Sequence, residues 1–121
     1  MPKVLVVDDH ATMVRLLTMT LPADFTVSQA SNGQAGVEQA EIFIPDLMLL
    51  DVNMPGLNGF EVLRKIRESK KLAHTKIIMV TARADEADRN LALQLGADAY
   101  LTKPFSPLAL LEQVTKLLGR S

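Results

Sequence analysis

Three apolar runs in this 121-residue chain end on side chains able to do chemistry. Val4-Leu5-Val6-Val7 runs into Asp8-Asp9, Leu47-Met48-Leu49-Leu50 into Asp51, and Ile77-Ile78-Met79-Val80 into Thr81. A shorter run, Ala99-Tyr100-Leu101, is followed by Lys103-Pro104. Brought together, the three carboxylates would repel one another or force a proton onto one of them. A divalent cation removes that conflict. Oxygen-only ligation selects a hard ion, and incomplete protein ligation suits Mg²⁺, which keeps several waters. The open coordination positions suit the oxygens of a phosphoryl group. Lys103 would pair with a phosphoryl oxygen as a point charge, and the Thr81 hydroxyl would donate to another. Asp51 is then the nucleophile, because a carboxylate can form an acyl phosphate.

That chemistry demands that the runs lie side by side. Unbroken apolar runs of strand length suit strands buried on both faces, as in a parallel sheet covered by helices. Phe25-Thr26-Val27-Ser28-Gln29 alternates, as a more exposed strand would, and Ala99–Leu101 reads as a short last strand. Between the runs, apolar residues recur at helical spacing: Met13, Leu16, Leu17 and Leu21; Val37, Ala40 and Ile44; Phe60, Leu63 and Ile66; Leu110, Leu111, Val114, Leu117 and Leu118. Pro22 ends the first of these helices, and Asn58 caps the third. A helix over 85–95 stops at Gly96, and Ser106-Pro107 opens the last one. The pattern predicts an α/β fold, a doubly wound (βα)5 three-layer sandwich with a five-stranded parallel sheet; with the strand order 2-1-3-4-5, strands one and three are neighbours. Ligands in such folds sit at the carboxyl ends of the strands, where Asp8, Asp9, Asp51, Thr81 and Lys103 all fall.

Composition narrows the rest. Hydrophobic residues make up 48% of the chain and charged residues 22%, and the net charge is −1. This is a globular composition with no bias toward nucleic acid or an anionic membrane. With no cysteine, disulfides, thiolate metal sites and thiol nucleophiles are excluded. No apolar run approaches the roughly 18 residues of a membrane span, and Met1-Pro2-Lys3 does not open a signal peptide. A cytoplasmic setting is the expectation. Gly33 and Gly36 do not follow a strand in the G-x-G-x-x-G manner, and there is no Walker sequence, so nucleotide binding is disfavoured.

Four stretches together carry a resemblance to a known family: Val6-Val7-Asp8-Asp9, Leu49 to Gly59, Val80-Thr81-Ala82, and Gly96 to Phe105. In this order and spacing they resemble the receiver domain of bacterial two-component response regulators, with a flavodoxin-like, chemotaxis-regulator-like fold covering the whole chain, residues 1–121. The resemblance implies that Asp51 accepts a phosphoryl group from a sensor histidine kinase or phosphotransfer protein in a Mg²⁺-dependent reaction, with Mn²⁺ as a substitute. It implies that Asp9 binds the metal directly, Asp8 directly or through water, and Asn53 through its backbone carbonyl. Lys103 and the Ala82 backbone N–H would contact the phosphoryl group, Thr81 would move toward it, and Tyr100 would turn inward as Thr81 moves. The Lys103-Pro104 bond would be cis, which proline makes accessible. The surface of the fourth helix, fifth strand and fifth helix would change, in a monomer or a phosphorylation-dependent dimer. Such a domain is a regulator that catalyses only its own phosphorylation and slow dephosphorylation, with no direct nucleic-acid or membrane contact. Asn53 and Arg83 would flank the entry of the attacking water.

Two other readings compete. A phosphohydrolase with an aspartyl-phosphate intermediate would use similar carboxylates, but the chain has no cap insertion and Asp8-Asp9-His10 is not a D-x-D arrangement. An interaction module without chemistry would not need the complete set of Asp8, Asp9, Asp51, Thr81 and Lys103. His10 is expected to face solvent near the mouth of the site and His74 to lie in the loop before the fourth strand; neither is assigned a catalytic role. The six methionines read as core filling.

Overall fold

Strands and helices alternate from the N-terminus in the computed structural model, which describes residues 1–119. The elements are β1 (Lys3–Val7), α1 (Ala11–Thr20), β2 (Thr26–Ala30), α2 (Gly33–Phe43), β3 (Leu47–Leu50), α3 (Gly59–Glu68), a 3-10 turn (Lys70–Leu72), β4 (Lys76–Thr81), α4 (Glu86–Gln94), β5 (Ala99–Thr102) and α5 (Pro107–Leu117). All five strands are parallel, in the order β2-β1-β3-β4-β5. The flavodoxin-like (βα)5 sandwich expected from the apolar runs is therefore the fold. Among the described residues no helix is long and apolar enough to cross a membrane.

The continuous apolar runs divide by parity, because successive side chains of a strand point to opposite faces. Leu5, Val7, Met48, Leu50, Ile77 and Met79 pack against Ala40 of α2, Val62, Leu63 and Ile66 of α3, and Ala92 of α4. Val4, Val6, Leu47, Leu49, Ile78 and Val80 pack against Val14 and Leu17 of α1 and Leu110 and Val114 of α5. Central strands buried on both sides need no alternation. The edge strand β2 is exposed or half-buried at Thr26, Val27, Ser28 and Gln29, and its buried residue is Ala30.

Two apolar stripes differ from expectation. On α1 the core face is set by Val14, Leu17 and Leu21, while Leu16 is exposed, because the 3.6-residue turn carries Leu16 off that face. Ile44 lies past α2 as its left-handed C-cap (φ 48°) and is 39% exposed. The 3-10 turn before β4, with Leu72 buried, has no counterpart in the sequence reading. The caps agree with expectation: Asn58 forms a reciprocal capping box with Glu61, and the Ser106 side chain accepts from the Ala109 N–H.

Candidate metal and phosphoryl site

Strand register brings the chemistry together. Val7 pairs with Leu50, and Leu50 with Met79, so Asp8, Asp51 and Thr81 leave three adjacent strands at the same rim. Two backbone bonds extend the ladder one step: Asp8 N–H to the Ala30 carbonyl and Asp51 N–H to the Val7 carbonyl, both 3.1 Å. Beyond β5 the Lys103 N–H donates to the Thr81 carbonyl at 2.8 Å. The Lys103–Pro104 peptide bond is cis.

Lys103 Nζ lies 2.8 Å from Asp8 Oδ2 and 3.1 Å from Asp51 Oδ2, bridging two side chains that are each at least 97% buried (1% and 3% exposed). The other carboxylate oxygens take backbone donors. His10 N–H donates to Asp8 Oδ1 at 2.9 Å, and Asn53 N–H to Asp51 Oδ1 at 3.3 Å. Burial by itself would lower the Lys103 pKa, but the Asp8 hydrogen bond and the charges of Asp51 and Asp8 outweigh it, so the pKa is raised and the ammonium stays charged.

Ligand atoms of Asp8, Asp9, His10 and Asp51 all lie within 4.8 Å of one another. Three carboxylates thus face one ammonium, which leaves two negative charges for a divalent cation to compensate. The carboxylate donors are hard oxygens, and the crevice is open on the Asp9 side, where the side chain is 27% exposed. The residues present fit a Mg²⁺-type ion. A cleft of about 620 Å³ opens from Asp8 and Asp9 along α1 to Met19, without reaching Asp51 or Lys103.

The opposite wall is the loop after β4. Thr81 is fully buried, and its Oγ1 accepts from the Arg83 N–H at 3.3 Å. Ala82 follows it and is exposed. Arg83 reaches across the mouth. Its Nε and Nη2 donate to Asp88 at 2.9 and 3.3 Å, its Nη1 donates to Asn53 Oδ1 at 3.2 Å, and its guanidinium stands 6.0 Å from the Phe60 ring centroid. The Asp88 bond and charge raise its pKa. Tyr100 is buried, and its hydroxyl donates to the Arg83 carbonyl at 2.8 Å.

Asp8, Asp9, Asp51 and Lys103 meet at one point, Thr81 leaves the adjacent strand, Asn53 lies on the loop beyond Asp51, and Tyr100 stands behind the Thr81 loop. His74 lies in the turn before β4, exposed. Two features escaped the sequence reading. Asp88 has no signal beyond an acid five residues after an arginine. The His10 side chain is 69% exposed, as expected; the feature missed is its approach to the acids, with Nδ1 3.1 Å from Asp9 Oδ1 and 3.3 Å from Asp8 Oδ1. Its adjacency to the acid pair was the available clue.

The comparisons with known proteins agree with this geometry. The family model described as response regulator receiver domain matches residues 4–115. The chain is 43% identical over 120 residues to the alkaline phosphatase synthesis transcriptional regulatory protein PhoP of Bacillus subtilis, covering 98% of this chain and 49% of that protein. It thus spans about half the length of PhoP and of the similarly matched ResD. Among solved structures, the response regulator domain of Thermotoga maritima CheB superposes with a TM-score of 0.87 at 34% identity, covering 99% of this chain and 98% of that one. A CheY-like receiver domain protein of Methanospirillum hungatei does so with a TM-score of 0.91 at 30% identity, covering 98% and 94%. On this evidence the chain belongs to the receiver domain family of two-component response regulators.

Proposed function

We propose that this domain, taken as residues 1–121, is a phosphorylation switch in which Asp51 accepts a phosphoryl group from a phosphohistidine. The observation that carries the proposal is the Lys103 ammonium bonded to both Asp8 and Asp51 in a cluster of three carboxylates. A lone structural ion pair would need one acid. When bound, a Mg²⁺ or Mn²⁺ ion neutralises charge on the transferring group, held by Asp9, Asp51, the Asn53 carbonyl, and Asp8 directly or through water.

The chain's own groups do the rest. An Asp51 carboxylate oxygen attacks phosphorus in line, the P–N bond breaks, and its electron pair leaves with the donor imidazole. Lys103 shifts its bond from Asp51 to a phosphoryl oxygen and stabilises the charge there. The Thr81 hydroxyl and the Ala82 N–H donate to the other oxygens. Thr81 gives up the Arg83 N–H in doing so, and Tyr100, bonded to the Arg83 carbonyl, responds to the loop movement. The surface of α4, β5 and α5 then shifts its population of states. Water later attacks phosphorus and ends the signal, with Asn53 and Arg83 at its entry. The donor is a sensor histidine kinase or phosphotransfer protein. The domain works in the cytoplasm, as a monomer or a phosphorylation-dependent dimer, and contacts neither nucleic acid nor membrane itself.

Asp51→Asn tests this. The variant should lose Mg²⁺-dependent beryllofluoride binding and labelling by acetyl phosphate, both read by mass spectrometry and by tyrosine fluorescence. Labelling of Asp51→Asn at the unaltered level would overturn the assignment.

A further inference from the structure

The Asp8-Asp9-His10 run ends on a side chain that the phosphoryl chemistry leaves unused. His10 caps α1 without a side-chain cap bond, and its ring is 69% exposed, so neither packing nor capping explains its orientation. What the ring approaches is the carboxylate crevice. Nδ1 stands 3.1 Å from Asp9 Oδ1 and 3.3 Å from Asp8 Oδ1, and the 2.9 Å bond from the His10 N–H to Asp8 Oδ1 fixes the turn that brings it there. Against two carboxylate oxygens Nδ1 carries the ring proton and donates; a cation taken up among those oxygens would meet the Nδ1 lone pair instead, with the ring proton on Nε2.

We infer that His10 adds a nitrogen donor to this metal centre, so that the site discriminates in favour of an imidazole-preferring ion such as Zn²⁺. The inference rests on the reading of Asp8, Asp9 and Asp51 as a metal site. Carboxylates and water suit Mg²⁺ and Mn²⁺, whereas imidazole suits Zn²⁺, Ni²⁺ and Cu²⁺. Mg²⁺ gains nothing from the ring, holds its oxygen shell and leaves the imidazole in solvent. Zn²⁺ recruits it. The centre therefore has two modes, three acids for a hard ion and three acids plus an imidazole for a softer one. The second mode places the ring at the mouth through which a phosphodonor must come.

Calorimetric titration with MgCl₂ and with ZnCl₂ tests this on the unaltered protein, His10→Ala and His10→Gln. The ratio of Zn²⁺ to Mg²⁺ affinity should fall about tenfold in both variants, the scale of a lost supporting ligand. Zn²⁺ should shift the imidazole ¹⁵N signals of His10 and leave those of His74, the other histidine, in place. An unchanged affinity ratio with Mg²⁺ still bound would overturn the inference alone, as would equal shifts at both histidines. Failure of the unaltered protein to bind Mg²⁺ would overturn the underlying metal-site reading, and the inference with it.

Discussion

Helix α3 buries Gly59, Val62, Leu63 and Ile66, whereas α4 buries Ala92 alone and leaves Leu91 and Leu93 exposed. Both helices follow central strands of the site, α3 after Asp51 and α4 after Thr81. Helix α3 opens with a complete capping box, and near its end Arg67 donates to the Gly96 and Thr75 carbonyls and to Asp98. Helix α4 has no side-chain cap. It is tied to the site by polar contacts: Asp88 with Arg83, and Arg89 with the Tyr100 carbonyl and ring. Few buried apolar contacts make a segment cheap to displace. The Asp51 side of the site is thus the more firmly packed, and the Thr81 side the less. That asymmetry suits the proposed switch, in which Asp51 would stay in line while the α4 surface moves.

The sharpest way to break this contrast is at Gly59. A Cβ there would overlap the Asp51 carbonyl oxygen and stand 2.7 Å from Val52 Cα. Both are backbone atoms of the loop after β3 and cannot step aside, so α3 would have to lift off the sheet. Gly59→Ala should cost about 3 kcal/mol in urea unfolding, the upper range for overpacking, and should slow labelling of Asp51 by acetyl phosphate. On α4, Ala87→Gly should cost about 1 kcal/mol from helix propensity alone. A Gly59→Ala cost no larger than the Ala87→Gly cost would mean that the Asp51 side is not the more firmly packed.

A milder comparison uses the two N-caps. Asn58 Oδ1 accepts from the Glu61 N–H, and Glu61 Oε1 from the Asn58 N–H, each at 3.0 Å. Asn58→Ala should cost about 1 kcal/mol. Asp85 holds the same position before α4 without a side-chain cap bond, and Asp85→Ala should change stability by less than about 0.5 kcal/mol. Equal midpoints for the two variants in thermal denaturation would remove the asymmetry at the helix starts.

Much of the frame was legible because the core strands are marked twice, by unbroken apolar runs and by the acid or hydroxyl that ends each run. That Asp8 and Asp51 must meet requires β1 and β3 to be neighbours, as they are. The difference between α3 and α4 was not legible in the same way. Phe60, Leu63 and Ile66 announce a buried face, whereas the helix over 85–95 showed only its stop at Gly96, and its one buried residue is Ala92. The polar ties depend on rotamers of long side chains, which spacing does not encode: Arg83 to Asp88, Arg67 to Asp98, and the His10 ring to Asp9.

The smallest expected effect is at Tyr100, where the Thr81 side meets β5. Its hydroxyl is bonded to the Arg83 carbonyl and its ring is buried. Burial first, and then the charge of Asp88, raise its pKa above the ordinary tyrosine value, although Arg83 and Arg89 pull the other way. The folded state therefore holds this proton more firmly than the unfolded chain does. The resulting stability is fully present below the unfolded value of about 10 and is lost as pH rises through the folded pKa. Tyr100 is the sole tyrosine and the chain has no tryptophan, so absorbance at 295 nm reports it alone. The folded protein should titrate with a midpoint above that of the guanidinium-unfolded chain, and Tyr100→Phe should flatten the decline in stability over the same alkaline range. Coincident midpoints would mean that the loop after β4 already releases the ring to solvent, a looser arrangement on the Thr81 side than the buried hydroxyl implies.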